Sequence, residues 1–246
     1  MIIKVPDINY DFGVYGMKRS GHHAIIHWIL NHYHSSIHYH DCFFKDNQFY
    51  CLNKNEVIKL GKYPYRVKIL SFEDRPNIFE SSIDIVCQHV RTKRNILILR
   101  DAYNNYASRY KKKMDVPNNV LDKIWINFDN VEIWKMYAKE FIGETNYLNA
   151  IKVNYNLWFQ DIEYRKELSK NFGLFTDHGI QDVLEFGSGS SFDFRKLNKK
   201  AQHMKVFERW KKYYFNNHYY KKIILDKEIE KLNKKIFGFV VPKIFF

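Results

Sequence analysis

Phe12-Gly13-Val14-Tyr15-Gly16, then Met17-Lys18-Arg19-Ser20-Gly21, then HHAIIHWILNHY over residues 22–33, is the stretch that decides the fold. FGVYG is a short apolar run with strand-forming residues. The glycine-bounded polar loop follows it, and the apolar residues of the third piece nearly encircle a helix, the mark of a buried one. A strand, a short loop and a buried helix open many nucleotide-binding α/β domains, because the N–H groups and dipole at the helix start attract an anion.

Working outward, VKILSF (67–72) predicts a second strand that ends at Glu73 and Asp74, before the breaker pair Arg75 and Pro76. NILIL (95–99) is a continuous apolar run, as in the middle of a parallel sheet, and it stops at Arg100. Asp101 suits the N-cap of the helix AYNNYASRYKKK, which closes on cations at the negative end of its dipole. Helical spacing places Asn104, Ser108 and Lys111 on one face of it and Tyr103, Ala107 and Tyr110 on another. A long amphipathic helix is expected over 119–142, a turn near Gly143, a fourth strand over Ala150–Tyr155, and a helix from Asp161 to Phe172 stopped by Gly173. FGSGSSFDF (186–194) reads as a loop, 200–215 as helical and Asp226–Phe237 as a last helix, with VVPKIFF packing back on the body. Residues 38–65 show no period and read as irregular. The order β-α, β, β-α, α, β-α predicts an α/β fold: one domain over 1–246, a single parallel sheet flanked by helices, with a P-loop-like nucleotide-binding architecture.

Aromatics form 17% of the chain and apolar residues 46%, which excludes a disordered chain. The formal charge of +13 favours anionic partners without choosing among nucleotides, nucleic acid and acidic polymers. Three cysteines with no CxxC pair indicate neither a disulfide framework nor a zinc site, and fit a reducing compartment. With no apolar stretch long enough to span a bilayer and no leader-like start, a soluble, cytoplasmic protein without a membrane span is expected.

Gly16 and Gly21 have the spacing of a P-loop, yet His22 and His23 stand where GxxxxGK[ST] has its lysine and hydroxyl. Without that hydroxyl to hold Mg2+, an ordinary kinase or nucleoside triphosphatase is not expected. The cationic pair Lys18 and Arg19, followed by Ser20 and Gly21, suits an anionic group bound without metal. His32, His34, His38 and His40 have a spacing that suggests a metal, but four histidines without matched acids read as surface or packing residues, and no metal is expected.

The loop GMKRSGHHA resembles the 5'-phosphosulfate loop of sulfotransferases that use 3'-phosphoadenosine 5'-phosphosulfate (PAPS), whose pattern runs PKSGT or PRSGT after the first strand. Arg19 matches the catalytic Lys/Arg, Ser20 and Gly21 match the next two residues, and His22 replaces the usual Thr. LRDAYNNYASRY resembles that family's 3'-phosphate segment, a strand-ending Arg followed eight residues later by a helical Ser, which here are Arg100 and Ser108. IKVNYNLWFQDIEYRKELSKNFGL resembles the region closing the nucleotide site, making Tyr155 a neighbour of the adenine; a core tyrosine is the other reading. SSFDFRKLNKKAQHMKVFERWKKY resembles in outline the basic loop that completes the 3'-phosphate site, though RKGxxGDW is absent; Lys199, Lys200 and Arg209 are the candidates there.

The resemblance implies transfer of the sulfuryl group of PAPS to a hydroxyl or amine by in-line displacement, with no metal. The cofactor contacts it implies are Gly16, Lys18, Arg19, Ser20, Gly21, His22 and His23 for the phosphosulfate and Arg100 and Ser108 for the 3'-phosphate. Arg19, helped by Lys18, would stabilise charge on the leaving oxygen. The family's base is a His or Glu between the two motifs: Glu73 ends the second strand and is the first candidate, with Asp74 beside it and His89 as the alternative. The acceptor is open, whether carbohydrate, peptide tyrosine or small metabolite. Two other readings are carried: a basic nucleic-acid-binding protein, disfavoured by the absence of any recognisable motif, and a P-loop-like protein that binds a nucleotide without catalysis.

Overall fold

A computed structural model describes residues 2–6, 9–45, 48–58, 63–75, 91–114, 130–174, 177, 179–180, 201–214 and 218–242. Its strands are β1 (Ile3–Lys4), β2 (Tyr10–Gly16), β3 (Tyr33–Lys45), β4 (Gln48–Ile58), β5 (Tyr63–Glu73), β6 (Thr92–Leu99) and β7 (Ile151–Asn154). The helices are α1 (His22–Leu30), α2 (Ala102–Met114), α3 (Val131–Ile142), α4 (Tyr155–Gln160), α5 (Ile162–Asn171), α6 (His218–Leu225) and α7 (Lys227–Phe237), with short 3-10 turns at Ala201–His203 and Arg209–Lys212.

All seven strands join one sheet in the order β1-β4-β3-β5-β2-β6-β7. The five strands from β3 to β7 in that order run parallel, while β4 pairs antiparallel with β3 and β1 antiparallel with β4. Strand alternation splits the core in two. Ile96 and Ile98 of β6 join Val14, Ile69 and Val153 in a cluster covered by α1, α4 and α5 through Trp28, Trp158 and Leu168. Leu97 and Leu99 join Tyr15, Leu70 and Phe72 in the opposite cluster, covered by α2, α3, α6 and α7 through Tyr106, Trp134, Tyr220 and Leu232. The sheet is therefore mostly parallel and buried on both faces, as parallel sheets require.

Several expectations are corrected. Residues 38–65 are not irregular: they carry most of β3, all of β4 and the start of β5. Ser36, His38 and His40 alternate with Ile37 and Tyr39, which take the apolar side, but the alternation slips at the left-handed Asp41, after which Cys42 joins the same apolar cluster. A single helix over 119–142 is not formed either. Asn130 is extended (φ −76°, ψ 104°) and its side chain accepts from the Glu132 N–H, so α3 starts at Val131; residues 119–129 lie outside those described. Strand β7 ends at Asn154, whose side chain caps α4, so Tyr155 is a helical residue. Over 201–214 only the two 3-10 turns form, the chain being held instead by tertiary bonds such as Trp210 N–H to Asn104 Oδ1 (3.3 Å). The expected loop at 186–194 lies outside the described residues.

Candidate functional site

Gly16, the last residue of β2, is opposite Glu73 of β5 on one side and Ile98 of β6 on the other. The chain leaves β2 toward β3 on the β5 side, whereas β6 and β7 build on the opposite side. The carboxyl end of β2 is thus where the strand order reverses, the place at which open α/β sheets form a ligand crevice.

The loop between β2 and α1 is tightly specified. Arg19 (φ 71°) and Gly21 (φ 86°) are both left-handed, and the Ser20 N–H donates to the Met17 carbonyl at 3.1 Å. A Cβ at Gly21 would lie 1.9 Å from Tyr155 Cε2, and one at Gly16 would lie 2.9 Å from His22 Nδ1 and 3.0 Å from the Ile98 carbonyl oxygen. Glycine is needed at both ends of the loop because other backbone and rings approach it closely. Asp74 ties the loop down: its carboxylate accepts from the Lys18 N–H (3.0 Å) and receives Arg109 on both oxygens at 2.8 and 2.9 Å. Asn105 and Arg109 also donate to the Lys18 carbonyl, each at 3.4 Å.

Around this loop two side-chain clusters gather. In the first, Arg100 Nη1 donates to Ser108 Oγ and to the Arg19 carbonyl, both at 3.3 Å, and Nη2 donates to the Val206 carbonyl. Arg209 Nη1 donates to the same Ser108 Oγ at 2.9 Å, and that hydroxyl donates to the Asn104 carbonyl at 2.8 Å. The Arg100 guanidinium lies 5.2 Å from the centre of the Tyr155 ring, within cation–π range. Burial lowers the Arg19 pKa to about 10, with repulsion from Arg209 and Arg100 adding to it and attraction from Glu73 opposing. Three guanidiniums that repel one another beside a helix start form a site suited to an anion.

The second cluster is built from histidines and Glu73. His23 Nε2 lies 3.5 Å from Glu73 Oε1, the His23 and His40 rings are 4.6 Å apart, and His38 Nε2 is 2.8 Å from Ser71 Oγ. Burial pushes the Glu73 pKa up to about 7, with His40 opposing the rise and Asp41 adding to it. Burial holds His23 down to about 4, and Arg19 adds to that shift. At neutral pH His23 is therefore uncharged, and its contact with Glu73 is not an ion pair. His22 is fully buried, its pKa is driven well below the ordinary value by burial, and among the described residues neither its ring nitrogens nor Ser20 Oγ has a hydrogen-bond partner.

The structure thus brings together Gly16, Lys18, Arg19, Ser20, Gly21, His22, His23, Glu73, Arg100, Ser108, Tyr155 and Arg209. Lys18 is committed elsewhere: its Nζ pairs with Asp41 at 3.0 Å. Asp74, the alternative candidate base, is engaged by Arg109 and the Lys18 N–H. His89, Lys199 and Lys200 lie outside the described residues. Of the four histidines read as surface or packing residues, His32 takes a structural bond to the Trp28 carbonyl (2.9 Å), but His38 and His40 belong to the site. Ligand atoms of His23, His40 and Glu73 all lie within 4.8 Å of one another, so a group able to hold a metal exists where none was expected. Asp41 was missed altogether. It is buried at φ 50°, unusual inside a strand though tolerated by Asp, and binds both Lys18 and Arg75 (2.7 Å). The His-x-His alternation at 38–40 is the signal that could have located this strand.

Comparison with models of known protein families, with curated proteins and with solved structures finds no match to this chain. Among the described residues no helix is long and apolar enough to cross a membrane.

Proposed function

We propose that the chain binds PAPS at the end of β2 and transfers its sulfuryl group to a hydroxyl or amine. The observation that carries the reading is the convergence of Arg100 and Arg209 on the Ser108 hydroxyl, with the Arg19 carbonyl accepting from the same Arg100 guanidinium. In this reading the loop takes one phosphate and the neighbouring Arg100, Ser108 and Arg209 the other, as a nucleotide with phosphates on both its 5' and 3' positions demands. The parallel strands, numbered by their order in the chain, lie second, third, first, fourth, fifth, and the loop follows the first; this supports a P-loop-like architecture. His23 in place of the Mg2+-binding hydroxyl favours a phosphosulfate anhydride over a nucleoside triphosphate.

In this reading the loop N–H groups and Arg19 hold the 5'-phosphosulfate, and Arg100, Ser108 and Arg209 hold the 3'-phosphate. Tyr155 forms a wall beside both, stacked on Trp158 with ring centres 5.8 Å apart. The acceptor oxygen forms its bond to sulfur as the bond from sulfur to the phosphate oxygen breaks. Arg19 stabilises the charge that develops on that leaving oxygen, and Glu73 takes the acceptor proton, its raised pKa suiting a base that works near neutrality. The products are the sulfated acceptor and adenosine 3',5'-bisphosphate.

A second reading, nucleotide binding without turnover, draws support from Lys18, whose ammonium is paired with Asp41 rather than directed to the loop anion. Calorimetric titration with adenosine 3',5'-bisphosphate in the absence of Mg2+, on wild type and Arg100→Ala, tests the site common to both. Loss of charge-assisted bonds to a phosphate costs about 2 kcal/mol, or roughly 30-fold in Kd. Binding weakened to that extent supports the proposal, and absent or unchanged binding overturns it. Appearance of the bisphosphate from PAPS in the presence of a mixed acceptor panel separates transfer from binding alone.

A further inference from the structure

Three segments meet at the second cluster for a topological reason. Glu73 ends β5, His23 lies in the first turn of α1, which follows β2 across the Met17–Gly21 loop, and His40 is on β3; β5 runs between β2 and β3. The imidazoles and the carboxylate therefore approach the same spot from the helix and from two adjacent strands.

From this geometry we infer that His23, His40 and Glu73 form a three-ligand site for a divalent transition-metal ion of the Zn2+ class. Their ligand atoms lie within 4.8 Å of one another, and a tetrahedral ion with nitrogen and oxygen ligands holds them about 3.4 Å apart, so side-chain adjustments of little more than an ångström complete the set. Two imidazoles and one carboxylate are the donors that suit Zn2+ and its neighbours in the first transition row; Mg2+ and Ca2+ require mostly oxygen. A tetrahedral ion with three protein ligands keeps one position for water or another small ligand. Glu73 is buried, whereas His23 and His40 are partly exposed, so an ion has an approach from the histidine side.

The surroundings support the set. The Ser71 hydroxyl lies 2.8 Å from His38 Nε2, fixing a third imidazole whose ring centre is 6.2 Å from that of His23 and 5.8 Å from that of His40. That ring packs against the ligands as a wall. Asp41 adds a buried carboxylate beside the cluster, and together with Glu73 it offsets the positive charges of Lys18 and Arg19. Metal binding goes beyond the transfer reaction and does not depend on it. If Glu73 is also the base for transfer, an ion here competes for that carboxylate and inhibits.

The test is titration of the whole, chelator-treated protein with Co2+, read by the visible absorption of four-coordinate Co2+, followed by displacement with Zn2+ and with no nucleotide present. The inference expects one equivalent in wild type and in His34→Ala, which alters a β3 histidine outside the cluster. His23→Ala, His40→Ala and Glu73→Gln should each weaken binding by at least about tenfold. Far-UV circular dichroism confirms that the variants fold, and the two histidine changes, at partly exposed positions, keep the test available if Glu73→Gln does not. No four-coordinate spectrum in wild type, or folded His23 and His40 variants that bind as wild type does, overturns the inference. Because no substrate is involved, this result stands apart from the fate of the transferase reading.

Discussion

Replacing Gly21 by Ala should destabilise the protein far more than the same change at another left-handed glycine. Gly21 sits at φ 86°, and its added Cβ would be 1.9 Å from Tyr155 Cε2 and 2.2 Å from Cδ2. Carbon atoms in contact prefer about 3.5–4.0 Å, so the ring must retreat by more than an ångström. It has little room to do so, with Trp158 stacked beside it and the Arg100 guanidinium over its face. The backbone conformation costs about 1–2 kcal/mol for a residue with a Cβ, and overpacking a filled site costs about 1–3 kcal/mol more. The expected loss is therefore about 2–5 kcal/mol. Gly238 provides the control: it is also left-handed, at φ 64°, but its added Cβ meets nothing within 4 Å among the described residues, so Gly238→Ala should show the backbone cost alone. Urea unfolding of wild type, Gly21→Ala, Gly238→Ala, Tyr155→Ala and the Gly21→Ala/Tyr155→Ala double variant separates the contributions. The double variant should show strong coupling, because removing the ring removes the clash. A Gly21→Ala loss no greater than that of Gly238→Ala would refute the close packing of loop against ring.

Other outcomes follow from the charged groups. In chelator-treated protein the Glu73 pKa is raised from 4.5 to about 7, so the folded state favours its protonated form. Its stabilising effect is complete below the unfolded pKa and is lost as pH rises through 7, amounting to about 3 kcal/mol at about 1.36 kcal/mol per unit. The stability of Glu73→Gln relative to wild type should accordingly rise between acidic and alkaline pH, measured by urea unfolding at each; a difference that does not change with pH contradicts the burial of an ionisable carboxyl. Asp74→Asn leaves Arg109, whose side chain is fully buried, without its carboxylate, and should cost about 3 kcal/mol in the same assay. A loss below about 1 kcal/mol would mean that the pair does not anchor the loop.

The local unit at β2, the loop and α1 is legible in the sequence because its signals agree: an apolar strand, glycines at both loop ends and a helix apolar on most sides. β6 and the start of α2 are legible for the same reason, with Asp101 accepting from the Asn104 N–H as a cap should. The hairpin of β3 and β4 is not, because the alternation of Ser36, His38 and His40 with Ile37 and Tyr39 slips at the left-handed Asp41, after which Cys42 joins the same apolar cluster. Arg100 and Ser108 could be paired by spacing, since a strand end and the second turn of the following helix are close. Arg209 is 101 residues from Ser108: the family resemblance offers it as a candidate, but its contact with Ser108 depends on the path of the chain over the sheet. Asp41 and the pairing of Asp74 with Arg109 were hidden likewise, each joining segments whose separation in sequence says nothing of their contact. The His23, His40 and Glu73 group needed the β3-β5-β2 neighbourhood, which no local pattern contains.

The most direct test of the proposed site is a comparison of adenosine 3',5'-bisphosphate with adenosine 5'-monophosphate by calorimetry, without Mg2+ and with a chelator present. The two ligands differ only in the phosphate assigned to Arg100, Ser108 and Arg209. At about 1.5–3 kcal/mol for each charge-assisted contact, the bisphosphate should bind at least about 100-fold more tightly. Equal affinity for the two, or no binding of either, would contradict the assignment of this cluster to a 3'-phosphate and with it the proposed sulfuryl donor.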